Sequence, residues 1–341
     1  MLNKIIPEDK IQKARKLIEK WDKIVIVTHI SPDGDAIGSS LALWHFLNQT
    51  GKQANVIVPD QFPDFLKWMK GTNDIVIATN DPVIAEETIA AAELIFCLDF
   101  NNPKRIGKLA PWVEASSAKK IMIDHHPEPE DFCDITISHP EVSSCAELVF
   151  RFISRMGMFE YIDLPCAENI YTGMMTDTGA FTYNSNSPQI YFIISELLCI
   201  GIDKDAIYDR VYNDYTESRI RLQGFVLYEK MKIFKEYKTA LITLSKEELR
   251  RFHRKKGDTE GFVNIPLSID DIVFSVFIRE EQDMIKISLR SKGDFPSNQF
   301  SAEVFGGGGH LNASGGEYKG KLEDAVALFE NALPRYKDLL I

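Results

Sequence analysis

The residues with chemical potential gather in four short stretches: HISPDGD (29–35), LDF (98–100), DHH (124–126) and MTDTG (175–179). They supply His29, Asp33, Asp35, Asp99, Asp124, His125, His126 and Asp177. Imidazole mixes here with carboxylate and no thiolate takes part. That donor set suits Mn²⁺ or a similar ion better than Mg²⁺, which avoids imidazole, or structural zinc, which prefers sulfur. One ion would not use His29, Asp33, Asp35, Asp99, His125 and Asp177 together, whereas two ions sharing a bridging carboxylate would. Two ions roughly 3.5–4 Å apart activate a water and clamp a phosphoryl centre. Each residue also has an ordinary alternative. Asp35 could cap a helix while Asp33 makes an Asx turn around Gly34. Asp99 could be a turn residue ending a strand, and Asp177 an exposed acid at a helix end. Asp124 could accept from a ring N–H and fix a histidine tautomer. Adjacent histidines on an extended chain point opposite ways, so His125 and His126 are not expected to serve one centre alike.

Alternating strands and helices must position these groups. KIVIVTH (23–29), NVIVP, DIVIA, LIFCLDF and KKIMIDHH read as strands. AIGSSLALWHFLNQTG and PVIAEETIAAAE read as helices. Such alternation predicts a mainly parallel sheet flanked by helices, with ligands at the carboxyl ends of its strands. His29, Asp99 and the 124–126 triplet fall at three such ends. From about residue 144 the pattern turns helical. TALITLS, DDIVFSVFIRE and MIKISLRSKG then predict a second strand-containing unit with a hairpin, closed by a helix over 322–340. In the last strand Ile285, Ile287 and Leu289 share one face, and Arg290 lies on the other.

With 341 residues, 45% of them apolar and 26% charged, the chain is expected to form a soluble two-domain α/β protein. No apolar run is long enough to span a bilayer, and MLNKIIPEDK lacks a signal-peptide core, so a cytoplasmic location is expected. Five scattered cysteines without a CxxC argue against a disulfide framework and a zinc ribbon. The net charge of −11 would repel a long polyanion, so a phosphate substrate should be short and locally held.

The ordered motifs HISPDGDAIGSSLAL, LDF, DHHP and MTDTGAF resemble the four signatures of the DHH phosphoesterase superfamily. LRSKGDFPSNQFSAEVFGGGGHLNASGG is similar to the DHH-associated domain of its RecJ-like branch. SSCAELVF and TEGFVNIPLS resemble the bacterial nanoRNA exonucleases (oligoribonucleases), often also phosphatases of 3′-phosphoadenosine 5′-phosphate, pAp. The resemblance implies two Mn²⁺ ions, one held by His29 and Asp33, the other by Asp35, His125 and Asp177, with Asp99 bridging. Asp124 would orient a histidine, and His126 would face the scissile phosphate.

FGGGGH lacks the GK[ST] of a nucleotide P-loop, yet glycines let backbone N–H groups approach an anion. The alternative is a flexible hinge. With the resemblance, Gly306, Gly307, Gly308, Gly309, His310, Asn312 and Arg290 become expected substrate contacts. The expected organisation is a DHH catalytic domain over 1–190, a helical connector over 191–235 and a substrate-binding domain over 236–341, with catalysis in the cleft between domains. The expected substrate is a very short oligoribonucleotide such as pApA, or pAp. Cyclic di-AMP, pyrophosphate and a non-catalytic nucleotide sensor remain as alternatives. Neither long duplex nucleic acid nor a membrane is an expected partner, and a homodimer is left open.

Overall fold

The computed structural model describes residues 4–255 and 257–340. The chain divides into two compact units, Met1–Asp214 and Tyr215–Ile341. The first runs α1 (Glu8–Lys20), β1 (Lys23–Val27), α2 (Gly34–Gln49), β2 (Gln53–Val58), β3 (Val76–Ile77), α3 (Pro82–Ala90) and β4 (Leu94–Leu98). It continues through α4 (Ala110–Ala115), β5 (Lys119–Asp124), β6 (Ile135–Ser138), α5 (Cys145–Arg155), α6 (Leu164–Asp177), α7 (Pro188–Ile200) and α8 (Lys204–Tyr212). Its strands pair in the order β3-β2-β1-β4-β5-β6, and every pair is parallel.

Both faces of this sheet are covered, which is why its strands are continuous apolar runs rather than alternating ones. Ile24, Ile26, Phe96, Leu98, Ile121 and Ile123 pack against α1, α2, α5 and α6. Their neighbours Val25, Val27, Ile95, Cys97 and Met122 face α3 and α4. Strand order reverses between β1 and β4, because β2 and β3 extend to one side of β1 and β4 to β6 extend to the other. At such a switch point the loops leaving the two strands diverge and open a crevice. His29 follows β1 and Asp99 follows β4, so these residues flank the reversal.

The sequence reading located the major strands and missed α1 and β6. DIVIA supplies only the two-residue β3, and the helical stretch after residue 204 breaks between Tyr212 and Glu217. Of the helices expected as a connector, α7 and α8 belong to the first unit, while α9 (Glu217–Phe225) belongs to the second.

The second unit continues with β7 (Met231–Phe234), β8 (Thr239–Leu244), α10 (Lys246–Arg251), β9 (Phe274–Glu280), β10 (Ile285–Ser291) and α11 (Ser297–Phe305). It ends with β11 (Gly308–His310), β12 (Ala313–Tyr318), α12 (Leu322–Ala332) and α13 (Lys337–Leu340). The sheet order is β11-β12-β10-β9-β8-β7, with only the β8–β9 pair parallel. Ile285, Ile287 and Leu289 are buried against Phe300, Phe305 and Phe329 of α11 and α12. Ile242, Leu244 and Phe277 pack on the opposite face with Leu222 and Leu249.

The glycine run is neither an open loop nor a hinge. Gly306 ends α11 at φ 63°, and Gly308–His310 pairs with β12. A side chain on Gly309 would come within 2.5 Å of the Ala313 carbonyl oxygen, so close backbone approach demands the glycine there.

Candidate active site

Asp33 begins the site. It caps α2, its Oδ1 accepting from the N–H groups of Asp35 and Ala36 at 3.1 Å each. The cap is therefore Asp33, and Asp35 lies inside the first turn. That frees the Asp35 carboxylate for a different partner. It accepts from the N–H groups of Cys145 (2.6 Å) and Ala146 (2.8 Å), which open α5. A buried carboxylate is thus held by a helix N-terminus, where backbone donors and the helix dipole favour negative charge.

His29 Nδ1 lies 2.8 Å from the carbonyl oxygen of Ile30, so Nδ1 carries the proton and donates. Its Nε2 then presents a lone pair, 3.2 Å from Asp99 Oδ2 and 3.9 Å from Asp33 Oδ1. His125 Nε2 meets a second group of carboxylates: Asp99 Oδ1 and Asp177 Oδ2 at 3.5 Å each, and Asp35 Oδ2 at 3.8 Å. The two oxygens of Asp99 thereby address two different clusters. Two such donor groups, His29–Asp33–Asp99 and Asp35–His125–Asp177, each have ligand atoms close enough to share one ion.

Asp99 has φ 61°, in the left-handed region that non-glycine residues seldom adopt. Such strain persists only where the surroundings impose it, and it commonly marks functional sites. Its N–H still donates to the Ile123 carbonyl at 3.1 Å, so the turn starts at the last rung of the β4–β5 ladder. Asp99 Oδ1 is buried without a hydrogen-bond partner among the described residues. Burying such an atom is costly unless something else satisfies it, and a cation does so. Two ligand atoms each roughly 2.1 Å from one ion sit about 3–4 Å apart, which matches the spacings above. The residues present therefore fit divalent metal ions.

The electrostatics agree. Burial raises the Asp35 carboxyl well above its usual range, and the charges of Asp99 and Asp177 add to the shift. Burial would raise Asp99 too, but His125 and His29 outweigh it and hold that carboxyl well below the usual range. Burial opposes charge on His125 and His29, yet their carboxylate neighbours raise both. Each shift reflects crowded acids competing for positive charge. The side chains of Asp33 and Asp177 are 46% and 29% exposed, against 9% or less for His29, Asp35, Asp99 and His125. Solvent therefore reaches the cluster past Asp33 and Asp177.

Asp124 orients His126 rather than His125. His126 Nδ1–H donates to Asp124 Oδ1 at 2.8 Å, and the His126 backbone N–H donates to Oδ2 at 2.9 Å. This doubly bonded carboxylate fixes the His126 ring, whose pKa burial lowers against the pull of Asp124. Asn101, which sequence reasoning missed, donates to the carbonyl oxygens of His126 (3.3 Å) and Pro127 (2.7 Å). It joins the Asp99 turn to the His126 turn. No pattern signals that role, because an Asn after a strand reads as an ordinary loop residue.

In the second unit, Arg290 and His310 both stand opposite Ala313 on the strands that flank β12. Arg290 is half-buried on the polar face of β10, with Nη1 donating to the Leu289 carbonyl at 2.9 Å. The Asn312 amide donates to Ser291 Oγ and to the Gly293 carbonyl, each at 2.9 Å, so it braces the hairpin. Gly306, Gly308 and Gly309 are exposed, and Gly307 is half-buried.

Comparison with known proteins follows the same division. The family model for the DHH family N-terminal domain matches residues 23–175, and that for the DHHA1 domain matches residues 242–334. The crystal structure of an exopolyphosphatase-related protein from Bacteroides fragilis is 61% identical, with a TM-score of 0.95 and 99% of each chain covered. The bifunctional oligoribonuclease and PAP phosphatase NrnA of Thermus thermophilus is 29% identical over 92% of this chain and 91% of its own length. The protein of the same description from Bacillus subtilis is 26% identical over 88% and 90%. With both domains matched in order and the DHH triplet itself anchoring the cluster, the chain belongs to the DHH phosphoesterase superfamily.

Proposed function

We propose that the protein is a Mn²⁺-dependent phosphodiesterase that hydrolyses very short oligoribonucleotides, such as pApA, to nucleoside 5′-monophosphates, and that it also acts on pAp. The observation carrying this reading is Asp99, whose two oxygens face His29 and His125 while Oδ1 accepts no hydrogen bond among the described residues. We assign His29 and Asp33 to one ion, Asp35, His125 and Asp177 to the other, and Asp99 to both. When bound, the ions would activate a water and neutralise charge on the phosphoryl oxygens.

The chain's own residues supply the rest. Asp124 holds His126 through Nδ1 and so assigns Nε2 to the substrate. Its charge also offsets part of the burial that disfavours the imidazolium, the form in which Nε2 carries a proton for a phosphoryl oxygen or the leaving 3′-oxygen. The hydrolysed P–O bond then leaves a hydroxyl on one product and a 5′-phosphate on the other. Arg290, His310, Asn312 and the 306–309 glycines are assigned to substrate binding. Asn312 would act through its hairpin or its carbonyl oxygen, since its amide is engaged. The proposed setting is the cytoplasm.

The deciding experiment is a Mn²⁺ assay comparing RNAs of two to five nucleotides with pAp, cyclic di-AMP and pyrophosphate. Fast release of AMP from the shortest RNAs, with pAp cleaved as well, is expected. Preference for cyclic di-AMP or pyrophosphate would replace the reading, and no hydrolysis by folded, Mn²⁺-loaded protein would end it.

A further inference from the structure

The cluster around Asp99 consists of carboxylates and imidazoles, yet its proposed substrate is an anion. Arg105, on a turn that adjoins the cluster, is a cation of the first unit that could meet that anion. It lies in the 3-10 turn Pro103–Leu109, six residues beyond Asp99. Two sets of hydrogen bonds fix this turn. On one side the Arg105 carbonyl accepts from the Ile30 N–H at 2.8 Å, and the Ile30 carbonyl in turn fixes His29 Nδ1. On the other, Asn101 bonds the His126 and Pro127 carbonyls, while the Glu130 N–H donates to the Asn101 carbonyl at 2.9 Å. The turn is thus tied to both the His29 loop and the His126 loop.

The Arg105 side chain does none of this bracing. It is half-buried, and among the described residues its guanidinium has no hydrogen bond, ion pair or ring contact. Its charge nevertheless reaches both His29 and His126, where it opposes their protonation. A half-buried guanidinium on a turn tied to both the His29 loop and the His126 loop, with its donors uncommitted among the described residues, is suited to two oxygens of a phosphate.

We propose that Arg105 is a substrate-contacting residue whose guanidinium binds the phosphate group of the nucleotide on the His29–His126 side of the site. This rests on the phosphoesterase reading above. The acceptor class is a phosphate mono- or diester, and the contact adds no metal ligand.

The test uses the full-length, Mn²⁺-loaded protein and the variants Arg105→Gln and Arg105→Lys. Calorimetry measures binding of adenosine 5′-monophosphate and of adenosine, so their affinity ratio isolates the phosphate contact. Arg105→Gln should shrink that ratio by roughly ten- to a hundredfold, the usual loss for a charge-assisted hydrogen-bond pair. It should raise KM for pApA similarly, with Mn²⁺ stoichiometry unchanged. Arg105→Lys should recover part of the ratio, because it keeps the charge without the fork. An unchanged ratio in Arg105→Gln overturns the assignment, as does loss of Mn²⁺, which would make Arg105 a structural support of the Asp99 turn. If the wild type hydrolyses no nucleotide, the proposed function fails while the binding ratio still decides the role of Arg105.

Discussion

At the scale of single residues, Asp99 and His126 divide the work that the adjacent motifs only hinted at. Asp99 sits in a strained backbone conformation and offers one oxygen to each half of the cluster. Asp99→Ala is therefore expected to lower Mn²⁺ stoichiometry as well as activity, by at least about a hundredfold in kcat. Equilibrium dialysis with metal analysis checks the first effect, and retention of full stoichiometry would refute the bridging role. His126 is tied to Asp124 and is assigned no ion. His126→Gln should keep its metal and lose roughly 10²–10⁴-fold in kcat, the range for a lost proton donor or acceptor. Asp124→Asn should follow it in direction, because it removes the acceptor that fixes the ring. If either variant released Mn²⁺ before losing kcat, the separation of ligand from catalytic partner would be wrong.

At the scale of elements, helix ends place the charges. Asp35 lies in the first turn of α2 and against the N-terminus of α5, both favourable for a carboxylate. Asp177 is the last residue of α6, at the unfavourable end of a dipole, and a bound cation would reverse that penalty. Glycines let α2 and α6 approach closely enough to bring the two acids to His125. A Cβ on Gly173 would stand 2.6 Å from the Ala146 Cβ and 2.9 Å from Asp35 Oδ1. Gly173→Ala should cost about 1–3 kcal/mol from overpacking, and should weaken Mn²⁺ binding by displacing Asp35. Thermal unfolding with and without Mn²⁺ reads both, and unaltered Mn²⁺ affinity would show that Asp35 is not displaced. Much of this architecture was legible in advance. The parallel strands announce themselves as unbroken apolar runs ending in His29, Asp99 and Asp124, because burial on both faces leaves no alternation. The rest depends on tertiary contacts that no local pattern encodes. Asp33 rather than Asp35 caps α2, since Asp35 is claimed by a helix 110 residues away. The glycine run reads in sequence as an anion-approaching loop or a flexible hinge, yet Gly308 and Gly309 pair with β12 as a strand. Asn101 and Arg105 have no signature because their roles arise from which turns meet.

For the whole molecule, the concentration of buried acids ties stability to pH and to metal. Consider the protein stripped of divalent ions. His29 and His125 have folded-state pKa values raised above 6.5, so protonation stabilises the fold. That contribution is fully present below about pH 6.5 and is lost as pH rises through the folded values. The Asp35 carboxyl is raised as well, so its ionisation on the way up destabilises in the same direction. Asp99 is shifted downward, and its contribution changes only in acid, below its ordinary value of 3.8. His45 and His126 are shifted down by burial and pull the other way, but only around and below their ordinary value of 6.5. The raised groups therefore set a negative slope above neutrality, and the stripped protein should melt at lower temperature at about pH 8.5 than at about pH 6.5. Mn²⁺ requires the same imidazoles neutral and the carboxylates ionised, so its binding releases protons and strengthens as pH rises. Because a ligand of the folded state stabilises by RT ln(1 + [L]/Kd), the rise in Tm on adding Mn²⁺ should be larger at the higher pH. Differential scanning calorimetry in EDTA and in excess Mn²⁺ at the two pH values measures both slopes. Equal Mn²⁺-induced shifts would mean that His29 and His125 do not give up protons to the metal, and the ligand assignment would fall with them.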